Sequence, residues 1–335
     1  MISADEYQAY GTTLINFAEK ISSFSSPLAV GMSGNFRQMK RRILNIAVFR
    51  KETLYQKMRA LIIYLVISAV FIGCTPILSI DASTQSVYHF SDTDKNISLL
   101  DISETFGTYD GSFVLYDNNL DSWKIYDLEE ATKRIPPEST YKIYDALLGL
   151  ESGIITPEHS SMTWNGDAFP FPSWEADQDL NSAMQNSVNW YFQAIDSQLG
   201  INRVQEFLNK IEYGNQTTSS NLDLYWSDFS LKISPLEQVT LLKKFNTNEF
   251  HLNFQNVFSV KNAIKIASTP NGNFYGKTGT GRVNGQDING WFIGYVETSD
   301  NSYYFATNIQ SDSNATGKKA FEITSDILKK LHIWN

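Results

Sequence analysis

IPPESTYKIYDALLGLESG, residues 135–153, opens with two prolines and a glutamate and continues through good helix formers as far as Gly153. Proline suits a first helical turn, where its missing N–H is not needed, and glycine accepts the dihedrals that end a helix, so a helix is predicted over 139–152. Ser139 then lies at the helix start, and Lys142, three residues on, shares its face of the first turn. A serine hydroxyl is a weak nucleophile until a base is held beside it, and a lysine amine becomes that base when burial lowers its pKa. The positive end of the helix also favours an oxyanion near its first turn. A serine N-cap followed by a solvated lysine has the same spelling, so the pair needs partners elsewhere in the chain.

Two further polar groups follow in order. Ser187-Val188-Asn189 comes 48 residues after Ser139, on a stretch that reads as one helix over 179–199. Lys277-Thr278-Gly279-Thr280 comes 90 residues after Ser187, at the edge of a predicted strand over 274–278. There, Gly279 would keep the edge clear of a side chain. Ser139–Lys142 is the only S-x-x-K in the chain, and the ordered set S-x-x-K, S-x-N and K-T-G is far more specific than any member.

Around these motifs, residues 111–118 and 122–126 alternate like a hairpin with an Asn/Asp-rich turn. Helical patterns also cover 204–211 and 235–245, strand patterns return at 290–297 and 302–309, and a last helix is predicted over 317–331. Strands, a helical middle, then strands and a helix predict an α+β domain built on one antiparallel sheet.

With these motifs in place, residues 85–335 resemble the class D (oxacillinase-type) serine β-lactamases and the related penicillin-binding proteins. Tyr213-Gly214-Asn215, Trp226 ahead of LKISPLEQ (231–238), and GWFIG (290–294) add to the likeness. STYKIYDALLGLESG and AMQNSVNWYFQ are similar still more closely to the BlaR/MecR β-lactam sensor-transducers, in which such a domain is joined to a membrane zinc-protease module. The resemblance implies acylation by β-lactam antibiotics at Ser139, with Lys142 as base in the form of a carbamate made with CO₂. It implies Ser187 as proton relay, the backbone N–H groups of Ser139 and Thr280 as oxyanion donors, Lys277, Thr278 and Gly279 as the substrate-binding edge, and Trp226 packed over Lys142. No other cofactor is implied.

Two departures from the family pattern matter. No HExxH occurs, and His89, His159, His251 and His332 are scattered, so a protease module is expected on a missing or separate segment, with only an indirect link to a transcriptional repressor. The arginine that class D enzymes carry after the last strands is absent, and Lys318 is the nearest substitute, without the bidentate fork. The middle motif also differs: Asn189 stands where those enzymes commonly have valine, and its amide would make the lysine pocket wetter and favour an ammonium over a carbamate. The expected function is therefore a membrane-bound receptor, covalently acylated by penicillins and cephalosporins and signalling induction of resistance. A class D β-lactamase with a membrane or lipid anchor is the alternative.

Composition bounds the rest. The 335 residues are 42% hydrophobic and 13% aromatic, ample for a core, and a net charge of −9 argues against direct nucleic-acid binding. The charge is divided unevenly: 1–59 carry nine Lys/Arg and four Asp/Glu, 60–80 carry no charge, and the remainder has a net charge of −14. Twenty-one uncharged residues suffice to cross a bilayer as a helix, and the basic side is expected to be cytoplasmic. This divides the chain into a helical cytoplasmic segment at 1–59, a transmembrane helix at 60–80 and an extracellular domain at 83–335. A lipoprotein signal starting at Met58, with Cys74 lipidated, is the competing reading. It would require 1–57 to be untranslated, and Phe71 suits its cleavage site poorly.

Overall fold

The computed structural model describes residues 12–13, 86–91 and 95–335. The chain divides into two units, Met1–Ser79 and Ile80–Asn335. The expected cytoplasmic segment, apart from Thr12 and Thr13, and the expected span at 60–80 lie outside the described residues. Among those that are described, no helix is long and apolar enough to cross a membrane.

In chain order the second unit contains β1 (Asn96–Leu99), α1 (Ser103–Phe106), β2 (Asp110–Asp117), β3 (Ser122–Tyr126) and α2 (Leu128–Thr132). A 3₁₀ turn, Glu138–Tyr141, leads into α3 (Lys142–Glu151), followed by α4 (Leu180–Gln185), α5 (Asn189–Leu199) and α6 (Ile201–Ile211). Then come α7 (Pro235–Asn246), α8 (Phe254–Ala263), β4 (Lys265–Thr269), β5 (Gly272–Val283), β6 (Gln286–Thr298), β7 (Ser302–Gln310) and α9 (Gly317–Lys330). The seven strands form one sheet in the order β1-β3-β2-β7-β6-β5-β4. It is mixed rather than wholly antiparallel, because the short edge strand β1 runs parallel to β3.

Period-two alternation makes this sheet the middle layer. Along β6, Trp291, Ile293 and Tyr295 enter a core shared with Tyr144, Leu147 and Ile195 of the α3–α5 layer. Phe292 and Val296 point the other way, into a core with Ile323, Ile327 and Leu328 of α9. Both faces are covered, so the central strands are apolar on both sides. The hairpin at 111–126 and the helices at 201–211, 235–246 and 317–330 match the sequence patterns closely. Two differences matter more for the site. The helix start expected at Ser139 is a 3₁₀ turn, and the single helix expected over 179–199 is broken at Asn186–Val188.

Candidate active site

The Ser139 turn is held from three directions. Pro136 O accepts hydrogen bonds from Trp291 Nε1 (2.8 Å) and Asn289 Nδ2 (3.1 Å) of β6. Glu138 N donates to Trp226 O at 3.0 Å. Thr140 Oγ1 donates to Pro137 O at 2.6 Å and accepts from Gln238 Nε2 of α7 at 3.0 Å. That anchor helix is itself fixed, since Ser234 and Glu237 form a capping box and Arg134 donates to both oxygens of Glu237. Glu138 is thereby kept at φ 53°, a left-handed conformation that a non-glycine residue adopts only when its surroundings impose it.

Lys142 lies in the first turn of α3 and is 1% exposed. Its Nζ donates to Ser139 Oγ at 3.2 Å and to Asn189 Oδ1 at 2.8 Å. It sits 5.2 Å from the Trp226 ring and 5.5 Å from that of Phe192. Burial lowers its pKa to about 8, against the opposing charges of Asp145, Glu138 and Asp196. Trp226 is placed by the Tyr213-Gly214-Asn215 motif. Gly214 has φ 52°, and a Cβ there would fall 2.0 Å from Lys232 O; Asn215 pairs with Lys232 and Ser230 to close the loop that carries Trp226.

Ser187 occupies the break between α4 and α5 at φ 54°, not a helical run as its neighbours suggest. The break turns its hydroxyl toward β5, where Lys277 Nζ donates to it. Burial and the charge of Lys142 lower Lys277 to about 7. Gly279 also serves the packing of β5. A Cβ there would meet Glu138 Cβ at 3.0 Å and Pro137 O at 3.1 Å, so its bareness lets β5 pack against the serine turn. Gly281 repeats this, since its Cβ would be 2.4 Å from Glu138 Oε1. Thr278 and Thr280 alternate to the other side, where Thr280 Oγ1 accepts from Gly317 N at 2.8 Å.

Ser139, Asn189, Thr280 and Arg282 line two adjoining cavities of about 290 and 340 Å³. Lys318 lines neither: Gly317 faces the strand, and the next residue of α9 turns out to solvent. Arg282, which sequence reasoning missed, lines both. A bulge between Gly281 and Arg282 re-aims it, and Asp287 holds it at 2.7 Å. Glu138 was missed as well; burial raises it to about 8, against its hydrogen bond from Asn289 and the charge of Lys142. A carboxyl beside the motif serine was visible in the sequence, but its burial was not.

A serine hydroxyl with a buried amine at hydrogen-bond distance, and a lysine-bearing strand alongside, is the arrangement that serine acyl transfer requires. Residues 111–329 match the family described as the penicillin binding protein transpeptidase domain. Regulatory protein BlaR1 of Bacillus licheniformis is 42% identical over 329 residues, covering 97% of this chain and 54% of its own. The solved C-terminal domain of the Bacillus licheniformis BlaR penicillin-receptor is 45% identical with a TM-score of 0.70, over 72% of this chain and 99% of its own. Class D beta-lactamase BAT-2 is 36% identical with a TM-score of 0.66, over 70% of this chain and 97% of its own. The chain belongs to the transpeptidase-domain family and, within it, to the BlaR/MecR group. It spans about half the length of the curated relatives that it matches.

Proposed function

We propose that this chain is the drug-sensing part of a membrane-bound β-lactam receptor, acylated at Ser139 by penicillins and cephalosporins. Lys142, through the neutral fraction that a pKa lowered to about 8 leaves it, takes the Ser139 proton while Oγ attacks the lactam carbonyl. The lactam C–N bond then breaks, and the proton passes through Ser187 to the departing nitrogen. The backbone N–H groups of Ser139 and Thr280 hold the oxyanion, a contribution worth about 3–4 kcal/mol when one donor is lost. Lys277, Thr278 and Arg282 hold the drug carboxylate.

The observation that carries the receptor reading is the 2.8 Å hydrogen bond from Lys142 Nζ to Asn189 Oδ1. Deacylation needs a base free to take a proton from water, and a carbonyl at this distance favours the ammonium, which is no base. The same contact fits poorly with a carbamate on Lys142, because Oδ1 already occupies the amine and would face a new anion. The alternative, a β-lactamase, draws on the intact Ser139–Lys142 pair and on the likeness to class D enzymes.

A penicillin time course followed by intact mass spectrometry separates the two. The wild-type adduct should persist for at least tens of minutes, and Asn189→Val should release it measurably faster, more so with added bicarbonate. Rapid wild-type turnover would make this protein a hydrolase. An adduct equally long-lived in Asn189→Val would place the cause of slow release elsewhere.

Membrane attachment through 60–80, with the N-terminus inside, belongs to the same reading, as do a protease module on a further segment and an indirect link to a repressor. The basic 1–59, the uncharged 60–80 and the acidic remainder support that orientation. Protease added outside intact cells should degrade 83–335 and leave 1–57 with the membrane. A protected large domain would refute the orientation.

A further inference from the structure

The hairpin that joins β5 to β6 carries an acid at the mouth of the cleft that acyl transfer itself does not use. Asn284 and Gly285, at φ 50° and 81°, form the two-residue turn, whose left-handed residues suit the twist of the paired strands. Just inside that turn, Arg282 and Asp287 face one another across the two strands. Arg282 donates from Nε to Asp287 Oδ1 at 2.7 Å and from Nη2 to Oδ2 at 3.2 Å, a bidentate pair along one edge of the guanidinium. Both residues line the cavity that also holds Ser139, Thr278 and Thr280.

The two partners are not equally free. The Asp287 side chain is 19% exposed, and its backbone carbonyl accepts from Ala315 N at 2.8 Å. The Arg282 side chain is 58% exposed. The acid is the fixed half of the pair, and the arginine is the half that can turn into the cavity.

We propose that Asp287 is a positioning residue that grades affinity for anionic drugs, by neutralising Arg282 and holding it along the hairpin until a drug carboxylate draws it away. This rests on the reading that Arg282 meets the drug carboxylate. With the acid in place, an arriving carboxylate meets a neutral pair. Without it, the carboxylate meets a free cation on a long stem, able to present its planar fork. Opening an exposed ion pair costs a factor of about five at most in an equilibrium, so a drug can open this latch. An uncharged ligand gains nothing when the acid is removed.

The test follows acylation of the full chain over a range of benzylpenicillin concentrations, which separates the half-saturating concentration from the limiting rate. The former does not depend on how much of the receptor is folded. Asp287→Asn should lower it by about two- to fivefold, with the change falling there rather than on the limiting rate. Arg282→Ala should raise it, and adding Asp287→Asn to Arg282→Ala should change nothing further. With the methyl ester of benzylpenicillin, Asp287→Asn should match wild type.

An unchanged or higher half-saturating concentration in Asp287→Asn would reduce the pair to a brace of the hairpin. A gain that survives in Arg282→Ala would mean that Asp287 repels the drug directly. Either result overturns the latch while leaving acylation of Ser139 intact. Equilibrium dialysis of labelled benzylpenicillin against the same variants, each carrying Ser139→Ala, removes the chemistry and reads recognition alone. The same pattern of affinities there, with no covalent adduct in wild type, would remove the receptor reading and leave the latch.

Discussion

Ser139→Ala is expected to abolish covalent labelling by fluorescent penicillin, with no drug mass gained in the intact protein. The neighbouring hydroxyls cannot replace it. Ser187 Oγ is engaged by Lys277, and Thr280 Oγ1 points away toward Gly317. Of these three hydroxyls only that of Ser139 lies at hydrogen-bond distance, 3.2 Å, from Lys142 Nζ, the proposed base. The substitution removes one half-buried hydroxyl and leaves Lys142 bonded to Asn189, so stability should change by no more than about 1 kcal/mol. A variant that still gained one drug mass would show that another residue is the nucleophile.

Lys142→Ala is expected to slow acylation by at least about two orders of magnitude, the usual scale of a lost general base. Its pH profile is the sharper test. Lys142 and Lys277 interact, so the pair releases its protons in two steps, near pH 7 and near pH 8. Lys142 is the more basic of the two, so the productive form, with the one proton on Lys277 beside the drug carboxylate and Lys142 neutral to accept from Ser139, is the minor arrangement of the singly protonated pair. Wild-type acylation should therefore be bell-shaped with its maximum between those values, and Lys142→Ala should lose the acid limb. Removing a buried cation beside Asp145 and Asp196 also destabilises, so rates must be taken per folded molecule, with a thermal melt alongside. Near-wild-type labelling with the acid limb intact would assign the base elsewhere.

Much of this protein was legible in local sequence. The proline-led start of STYK, the alternation of the hairpin and the last strands, and the helical periodicity of 235–246 and 317–330 follow from preferences that act within a few residues, so spacing alone reveals them. The order of the three motifs likewise announced the class of site. Short edge strands and α8 escaped notice. β1 and β4 are largely exposed, and Phe254 and Phe258 of α8 face solvent, so their patterns carry little hydrophobic signal.

What the tertiary structure alone decided concerns groups brought together from distant segments. It broke the predicted helix at Ser187 so that the hydroxyl meets Lys277, set Gly279 and Gly281 against the serine turn, and swung Arg282 rather than Lys318 into the cleft. It also buried Glu138, Asp145 and Asp196 around Lys142. The sequence by itself determined which side chains could do acyl-transfer chemistry, because identity and spacing are local properties. Their ionisation is not local. It depends on how much water and which charges the folded chain leaves beside each group, and that is set by segments far apart in the chain as well as by near neighbours.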